Sequence, residues 1–351
     1  MKLNFCTLFD SNFLVSGYTL YISLQKCCKN FHLYIFAFDD LAFEVLTQLH
    51  LPNVTVISLS EFEDEELLRI KPTRSKGEYC WTCTSSTIKY CIETFHLDHC
   101  TYLDADLFFY GDPEDIIQDI NKAGKDVLIT KHNYTKKHER LSIISGIYCV
   151  QFMFFRNTVE GMEVLNWWRN ACIDWCFNRH EDGKFGDQKY LDDWPSKFPC
   201  VHVCPLDGAG LASWNAADYH IVEQPSQKNP FKLVNNKKKT ECDLIFFHFH
   251  KFRLSENDVV WTRAYNLPKS IIKHIYIPYT NLCLAHYEYL HQVNQNIVLP
   301  QKSSWMPRSF FSSTLFFLIS IPYCLWKEKS LIIEFNNYHV YKIKNGKLIR
   351  S

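Results

Sequence analysis

The sequence predicts an α/β protein built on a mostly parallel sheet with helices covering it. Three observations carry that expectation. The first half of the chain alternates short apolar runs with segments of helical spacing, the rhythm of repeated βαβ units. The chain has 351 residues, enough for one large α/β domain or two modest ones. Hydrophobic residues make up 47% of it, enough to fill a core and too many for global disorder.

The elements follow in order. Residues 3–9, LNFCTLF, read as a buried strand, and 17–27 as a helix through the spacing of Tyr18, Leu20, Tyr21 and Leu24. Residues 32–38 form a second strand, 39–49 a second helix, and 53–59 a third strand rich in β-branched residues. A helix over 81–95 feeds a strand at 99–106. Beyond it come strands at 126–130 and 147–155, a helix at 158–177, and a polar loop over 185–195 that leads into a short helix. Residues 201–206 and 242–250 read as late strands, with an exposed turn through NNKKKT between them. In such sheets ligands sit at the carboxyl ends of the strands, so Asp10, Asp39 and Asp104 are candidates for one shared rim.

After about residue 265 the character changes. A helix is expected around Pro278, and the tail is expected to form strands joined by an Asn345-Gly346 hairpin turn. Residues 309–326 are almost uncharged, and three readings stand for them: a packed helix, an interfacial membrane contact, or a membrane-spanning helix.

Bulk properties exclude some functions. The formal net charge is zero, which argues against a surface built to hold nucleic acid. Aromatic residues reach 16%, which suits stacking pockets and a rich core equally. The N-terminal segment MKLNFCTLFDSNF lacks signal-peptide character, so the 15 cysteines are expected as thiols in a reducing cytoplasm. The asparagines of the glycosylation patterns at Asn53 and Asn133 then carry little meaning. Cys80 and Cys83 have zinc-like spacing, and Cys200 and Cys204, with His202 between them, are a looser second pair.

The stretch TYLDADLFFYGD, residues 101–112, carries the chemistry. An Asp-x-Asp at a strand end can send two carboxylates toward one point, and hard divalent cations take oxygen ligands. Read alone, the motif is either such a metal site or a solvated turn. Apolar sequence on both sides favours the former, because adjacent carboxylates beside an apolar sheet repel each other unless a cation or donors compensate.

Five segments in this order, TLFDSNFLVSGYTLYISLQ, TYLDADLFFYGD, FGDQKYLDDWP, GLASWN and FFHFHKF, resemble the GT-A nucleotide-sugar glycosyltransferases. The closest likeness is to glycosyltransferase family eight and related bacterial lipopolysaccharide and capsule enzymes, and it covers residues 1–260. The resemblance implies a Rossmann-like mixed sheet with helices on both faces. Residues 261–351 would form a helical and hairpin extension associated with membrane or acceptor. It also implies a UDP-sugar donor, a Mn²⁺ or Mg²⁺ ion, a glycan or lipid-linked acceptor, and retention at the anomeric carbon.

The resemblance extends to single residues. Asp104 and Asp106 match the metal-binding acids, with Ala105 between them at the donor. His248, with His250 as the alternative, matches the metal-binding histidine. Thr7, Phe9 and Asp10 fall where the family places base and ribose, and Phe13 replaces a usual tyrosine. Lys89 matches a lysine near the donor. Asp187 and Gln188 match an Asp-Gln pair at the reacting sugar, with Gly186 allowing close backbone approach. Gln151, Trp214 and Asn215 are expected to line the sugar or acceptor pocket. The chain departs from the family at Lys251, where glycine is usual, and lacks a clear Lys-Pro-Trp after it. Lys251 or Arg253 is then the candidate to hold the diphosphate. Two competing functions are a non-catalytic nucleotide-sugar-binding scaffold and a sugar-phosphate nucleotidyltransferase; the latter wants a Gly-rich loop after the first strand, which FDSNFLVSG does not supply.

Overall fold

The computed structural model describes residues 1–224, 229–256, 258–260, 267–300, 340–344 and 347–350. The strands are β1 (Leu3–Phe9), β2 (Phe31–Ala37), β3 (Val54–Ser58), β4 (His99–Leu103), β5 (Leu107–Phe109), β6 (Val127–Lys131), β7 (Tyr148–Arg156), β8 (Val201–Val203) and β9 (Ala209–Ala212). Then follow β10 (Tyr219–Glu223), β11 (Phe231–Asn235), β12 (Glu241–Asp243), β13 (Phe246–His248), β14 (Arg253–Leu254), β15 (Asp258–Val260), β16 (Val340–Lys344) and β17 (Lys347–Arg350).

Seven of them form a mixed sheet in the order β3-β2-β1-β4-β7-β6-β8. β1, β2, β3 and β4 are parallel neighbours, β6 is parallel to β8, and β7 runs antiparallel to both β4 and β6. β1 is buried at every position because helices cover both faces. Leu3 and Phe5 pack on one side with the helices Leu14–Cys27, Asp40–Gln48 and Glu114–Ala123. Cys6 and Leu8 pack on the other with Lys76–Thr94 and Val159–Asp174, whose Trp168 is fully buried.

Helix starts follow local capping chemistry. Ser75 and Glu78 form a reciprocal capping box ahead of Lys76–Thr94, which therefore begins five residues earlier than the apolar spacing alone suggests. Thr158 caps Val159–Asp174. Asp39, a candidate for the ligand rim, is committed elsewhere. Its Oδ1 accepts from the Ala42 N–H at 2.9 Å, and its Oδ2 accepts from the Ser11 N–H and hydroxyl at 3.0 and 2.7 Å.

The segment 242–250, expected as one strand, divides at Leu244-Ile245 into β12 and β13, which join different sheets. β12 closes the sheet β10-β11-β12, whose first two strands lie in sequence that reads as a polar stretch. β13 lies between β5, antiparallel, and β9, parallel. Gly208, just before β9, makes that placement feasible, because a Cβ there would lie 1.9 Å from the Asp243 carbonyl oxygen.

The helix Ile277–Val293 runs on without a break from Lys269–Ile271 and the π turn Ile272–Tyr276, and Pro278, which has no N–H to donate, stands just after that π turn. Leu290 packs from it onto the core that holds the helix Leu14–Cys27. β16 and β17 pair antiparallel; Asn345 and Gly346 themselves, and the apolar run 309–326, lie outside the described residues. Among the described residues no helix is long and apolar enough to cross a membrane.

Candidate active site at the end of the fourth strand

The chain leaves the main sheet at the end of β4 through a tight turn. The Leu107 N–H donates to the Asp104 carbonyl at 3.2 Å, so Asp104 opens the turn and Asp106 is its third residue. The Asp104 N–H donates to the Gln151 carbonyl at 3.0 Å, tying the turn to β7. β5 then starts at Leu107, and its register sets Leu107 opposite His248 on β13. The Phe249 N–H donates to the Asp106 carbonyl at 2.9 Å. Pairing β5 with β13 therefore delivers a histidine 142 positions away (248 − 106) to the two aspartates.

His248 Nε2 lies 3.1 Å from Asp106 Oδ1 and 3.7 Å from Asp104 Oδ2. One ligand atom from each of the three side chains falls within 4.8 Å of the others. Two carboxylate oxygens and one imidazole nitrogen are a donor set suited to Mn²⁺ or Mg²⁺. The other imidazole nitrogen, Nδ1, is held 2.8 Å from Gln151 Oε1, and Gln151 Nε2 donates to Thr130 Oγ1 at 3.1 Å. Thr130 in turn donates to the Cys149 carbonyl at 3.4 Å. The direction of donation along this chain assigns the proton to Nδ1 and turns Nε2 toward the carboxylates.

Electrostatics are strongly coupled here. Burial raises the Asp104 carboxyl to about 6, a rise that His248 opposes and Asp106 assists. Burial also pushes Asp106 up, but the charge of His248 and its hydrogen bond overcome that and hold it at about 2. Burial depresses His248, yet the Asp106 charge dominates and lifts it well above its usual value. Asp187 is buried, at 6% exposure, and burial raises its carboxyl to about 7, with the Asp104 charge adding to the rise. The hydroxyls of Thr84 and Tyr102 oppose the rise at Asp187 and Asp104 respectively, while Thr84 Oγ1 donates to the Cys80 carbonyl at 3.3 Å. Trp168 Nε1 holds the Asp187 carbonyl at 2.9 Å.

Other expected site residues fall in different surroundings. Gln151, expected at the sugar pocket, is fully buried and orients His248 instead. Asn215 is buried, and its amide ties the Ala212 N–H to the His132 and Gly210 carbonyls. Trp214 is also buried; its ring meets those of His248 and His250 edge-on at 5.2 and 5.4 Å. His250 stands beside His248, outside the three-residue group. Lys89 forms an ion pair with Glu93 one helical turn on, which gives it a partner other than a phosphate. Thr7 is buried with its hydroxyl unpartnered, Phe9 packs against Gly17, and Ala105 is in the core. Asp10 accepts from the Asn12 N–H at 3.1 Å and caps the turn after β1. The Arg253 guanidinium lies 4.4 Å from the Phe13 ring centroid. Gln188 precedes the 3₁₀ turn Lys189–Asp193. Lys251 adopts φ +62°, the left-handed backbone that glycine favours.

The zinc-like cysteine pairs do not assemble. Neither Cys80 with Cys83 nor Cys200 with Cys204 belongs to a metal-capable group among the described residues, and His202 instead meets Asp119 at 2.6 Å. The thiols that do meet are Cys6, Cys91 and Cys100, buried between sheet and helix. Sequence reasoning also missed Tyr102 and Thr130. Tyr102 was findable, since it precedes Asp104 by two residues, the period of a strand. Thr130 was not, because a register shift within the β6–β7 pairing brings it to Gln151.

No protein-family model matches the chain. It is 32% identical over 264 residues to YfnD of Bacillus subtilis (strain 168), an uncharacterized protein, spanning 73% of this chain and 81% of that one. It is 28% identical over 257 residues to YfnF of the same organism, also uncharacterized, spanning 71% of this chain and 82% of that one. Among solved structures, it is similar to the galactosyltransferase LgtC in complex with donor and acceptor sugar analogues, at TM-score 0.49 and 9% identity over 81% of this chain and 96% of that one. It is also similar to mouse xyloside xylosyltransferase 1, at TM-score 0.44 and 13% identity over 72% and 98%.

Proposed function

We propose that this chain, which belongs to the family of the Bacillus subtilis protein YfnD, is a metal-dependent GT-A glycosyltransferase. In this reading it moves a sugar from a UDP-sugar to a glycan or lipid-linked acceptor with retention. The observation that carries the reading is the convergence of Asp104, Asp106 and His248 at the carboxyl end of β4. The donor set fits a hard divalent cation, and the second imidazole nitrogen is already fixed by Gln151. The mixed sheet with helices on both faces, and five motifs in the family's order, support it further.

Asp104, Asp106 and His248 would hold the ion, whose chemistry is to neutralise the charge that develops on a diphosphate leaving group. The protein's own residues do the rest. Gln151 and Thr130 keep His248 oriented. The turn after β4 fixes both carboxylates on rigid backbone. Asp187 supplies a buried carboxyl close enough to feel the Asp104 charge, placed to stabilise positive charge at the reacting carbon or to orient an acceptor hydroxyl. Lys251 and Arg253, just beyond β13, are the cations nearest in sequence to His248 and the candidates for the diphosphate.

The test is UDP release. The protein is incubated with a panel of UDP-sugars and Mn²⁺, beside the Asp104→Asn and Asp106→Asn variants. Release is expected to depend on the metal and to fall by roughly a hundredfold or more in each variant, the scale of losing metal charge stabilisation. Absence of both UDP release and metal-dependent UDP binding would refute the reading. Binding without release would select the non-catalytic scaffold, and release surviving both substitutions would refute the site.

A further inference from the structure

We infer that the cavity behind Trp214 is an acceptor subsite for an anionic sugar group, a carboxylate or phosphate. The inference rests on the transferase reading and names the class of its acceptor.

Two basic stretches far apart in sequence converge there. One is 135–138, Thr-Lys-Lys-His, between β6 and β7; the other is the turn between β11 and β12 that carries Lys237. Together with Ser213, Trp214, Ala217 and Asp218 they line a cavity of about 190 Å³. That is below the roughly 300–1,000 Å³ of a pocket for a drug-sized ligand, and is the scale of one sugar or one ionic group.

Charge in the cavity is one-sided. Lys136, Lys137 and Lys237 face a single carboxylate, Asp218, which lies 2.7 Å from Lys237. Lys136 and Lys137 are exposed and make no ion pair among the described residues. In a chain of zero formal net charge, this local excess is a distinct feature. Ser213 adds an independent observation: it is only 2% exposed, and its hydroxyl has no hydrogen-bond partner. A buried hydroxyl left unpaired costs free energy that a ligand oxygen would recover.

Position ties the cavity to the reaction. Trp214 lines it, and the same indole ring meets His248 at 5.2 Å. A group held there is one side chain away from the metal-capable cluster. The two exposed lysines suit the charge at the edge of a sugar.

The experiment is calorimetric titration of the full chain with D-glucuronate, glucose 6-phosphate and D-glucose. Both anions are expected to bind, with the stronger identifying carboxylate or phosphate, and glucose roughly tenfold or more weaker. The Lys136→Ala/Lys137→Ala variant is expected to weaken anion binding roughly tenfold, and Asp104→Asn to leave it unchanged. A circular dichroism melt of each variant reports whether it folds. Four outcomes would overturn the inference: no anion binding, glucose binding as well as the anions, a lysine variant that binds like the parent, or anion binding lost in Asp104→Asn. Its failure is separable from failure of the transferase reading, which metal-dependent UDP binding and release report.

Discussion

Gln151 offers the sharpest test of the site because it touches the ligand set without belonging to it. Its Oε1 accepts from His248 Nδ1 at 2.8 Å and its Nε2 donates to Thr130 at 3.1 Å, all in a fully buried setting. Gln151→Leu keeps nearly the same volume and removes both bonds. Thr130 retains its bond to the Cys149 carbonyl, so the principal orphan is the His248 Nδ1–H. A buried donor left unpaired costs about 1–3 kcal/mol of folding stability. Loss of the group that orients a ligating histidine costs metal affinity about 10- to 100-fold, which is about 1.4–2.7 kcal/mol. Gln151→Glu retains an acceptor for Nδ1 and is expected to hold Mn²⁺ within a few-fold of the parent. Urea denaturation gives the first quantity and Mn²⁺ titration calorimetry the second. Parent-like Mn²⁺ affinity in Gln151→Leu, with the expected loss of stability, would refute the reasoning: Gln151 would then be core packing and His248 would need no orientation.

Three further outcomes follow from the same geometry. Asp187, held at about 7 against an ordinary 3.8, makes the metal-free protein pH-sensitive. A raised carboxyl pKa gives stability fully present below 3.8 and lost as pH rises through about 7, up to about 4 kcal/mol in all. Chemical denaturation from pH 4 to 8 should show that fall, and Asp187→Asn should flatten it. Mn²⁺ binding should release protons at neutral pH, because the Asp106 charge favours the protonated form of His248 and Nε2 must be free of a proton to coordinate, as calorimetry in buffers of different ionisation enthalpy would show. Lys251→Gly relieves a φ of +62° and should raise stability by up to about 1 kcal/mol in a thermal melt, while weakening UDP binding if the ammonium holds the diphosphate.

Much of the site was legible along the chain because its strongest signals are local. Asp104 and Asp106 are two residues apart at the end of an apolar strand, and an apolar strand entering a polar notch marks the carboxyl end of that strand whatever surrounds it. Strands β1 and β2 were legible for the same reason: buried on both faces, they read as nearly unbroken apolar runs, while β3, at the edge of the sheet and only partly buried, is marked by its β-branched residues. The division of 242–250 was not legible, since the break at Leu244-Ile245 lies inside hydrophobic sequence and exists because β12 and β13 join different sheets. The partners of Gln151 escaped for a related reason, as polar residues at strand positions look alike until pairing decides which of them meet.

By itself, the sequence determined the βαβ rhythm and the two aspartates at a strand end, both set by interactions within a few residues. Only the tertiary structure decided that the β5–β13 register places His248, rather than His250, beside both carboxylates. It alone turned Gln151 from a pocket residue into the group that fixes His248, and gathered two lysine stretches around Trp214. The physical reason is that a metal site or a charged cavity depends on distances across strand pairs. Those distances arise from pairing and burial between segments from dozens to more than a hundred residues apart, which no local pattern encodes.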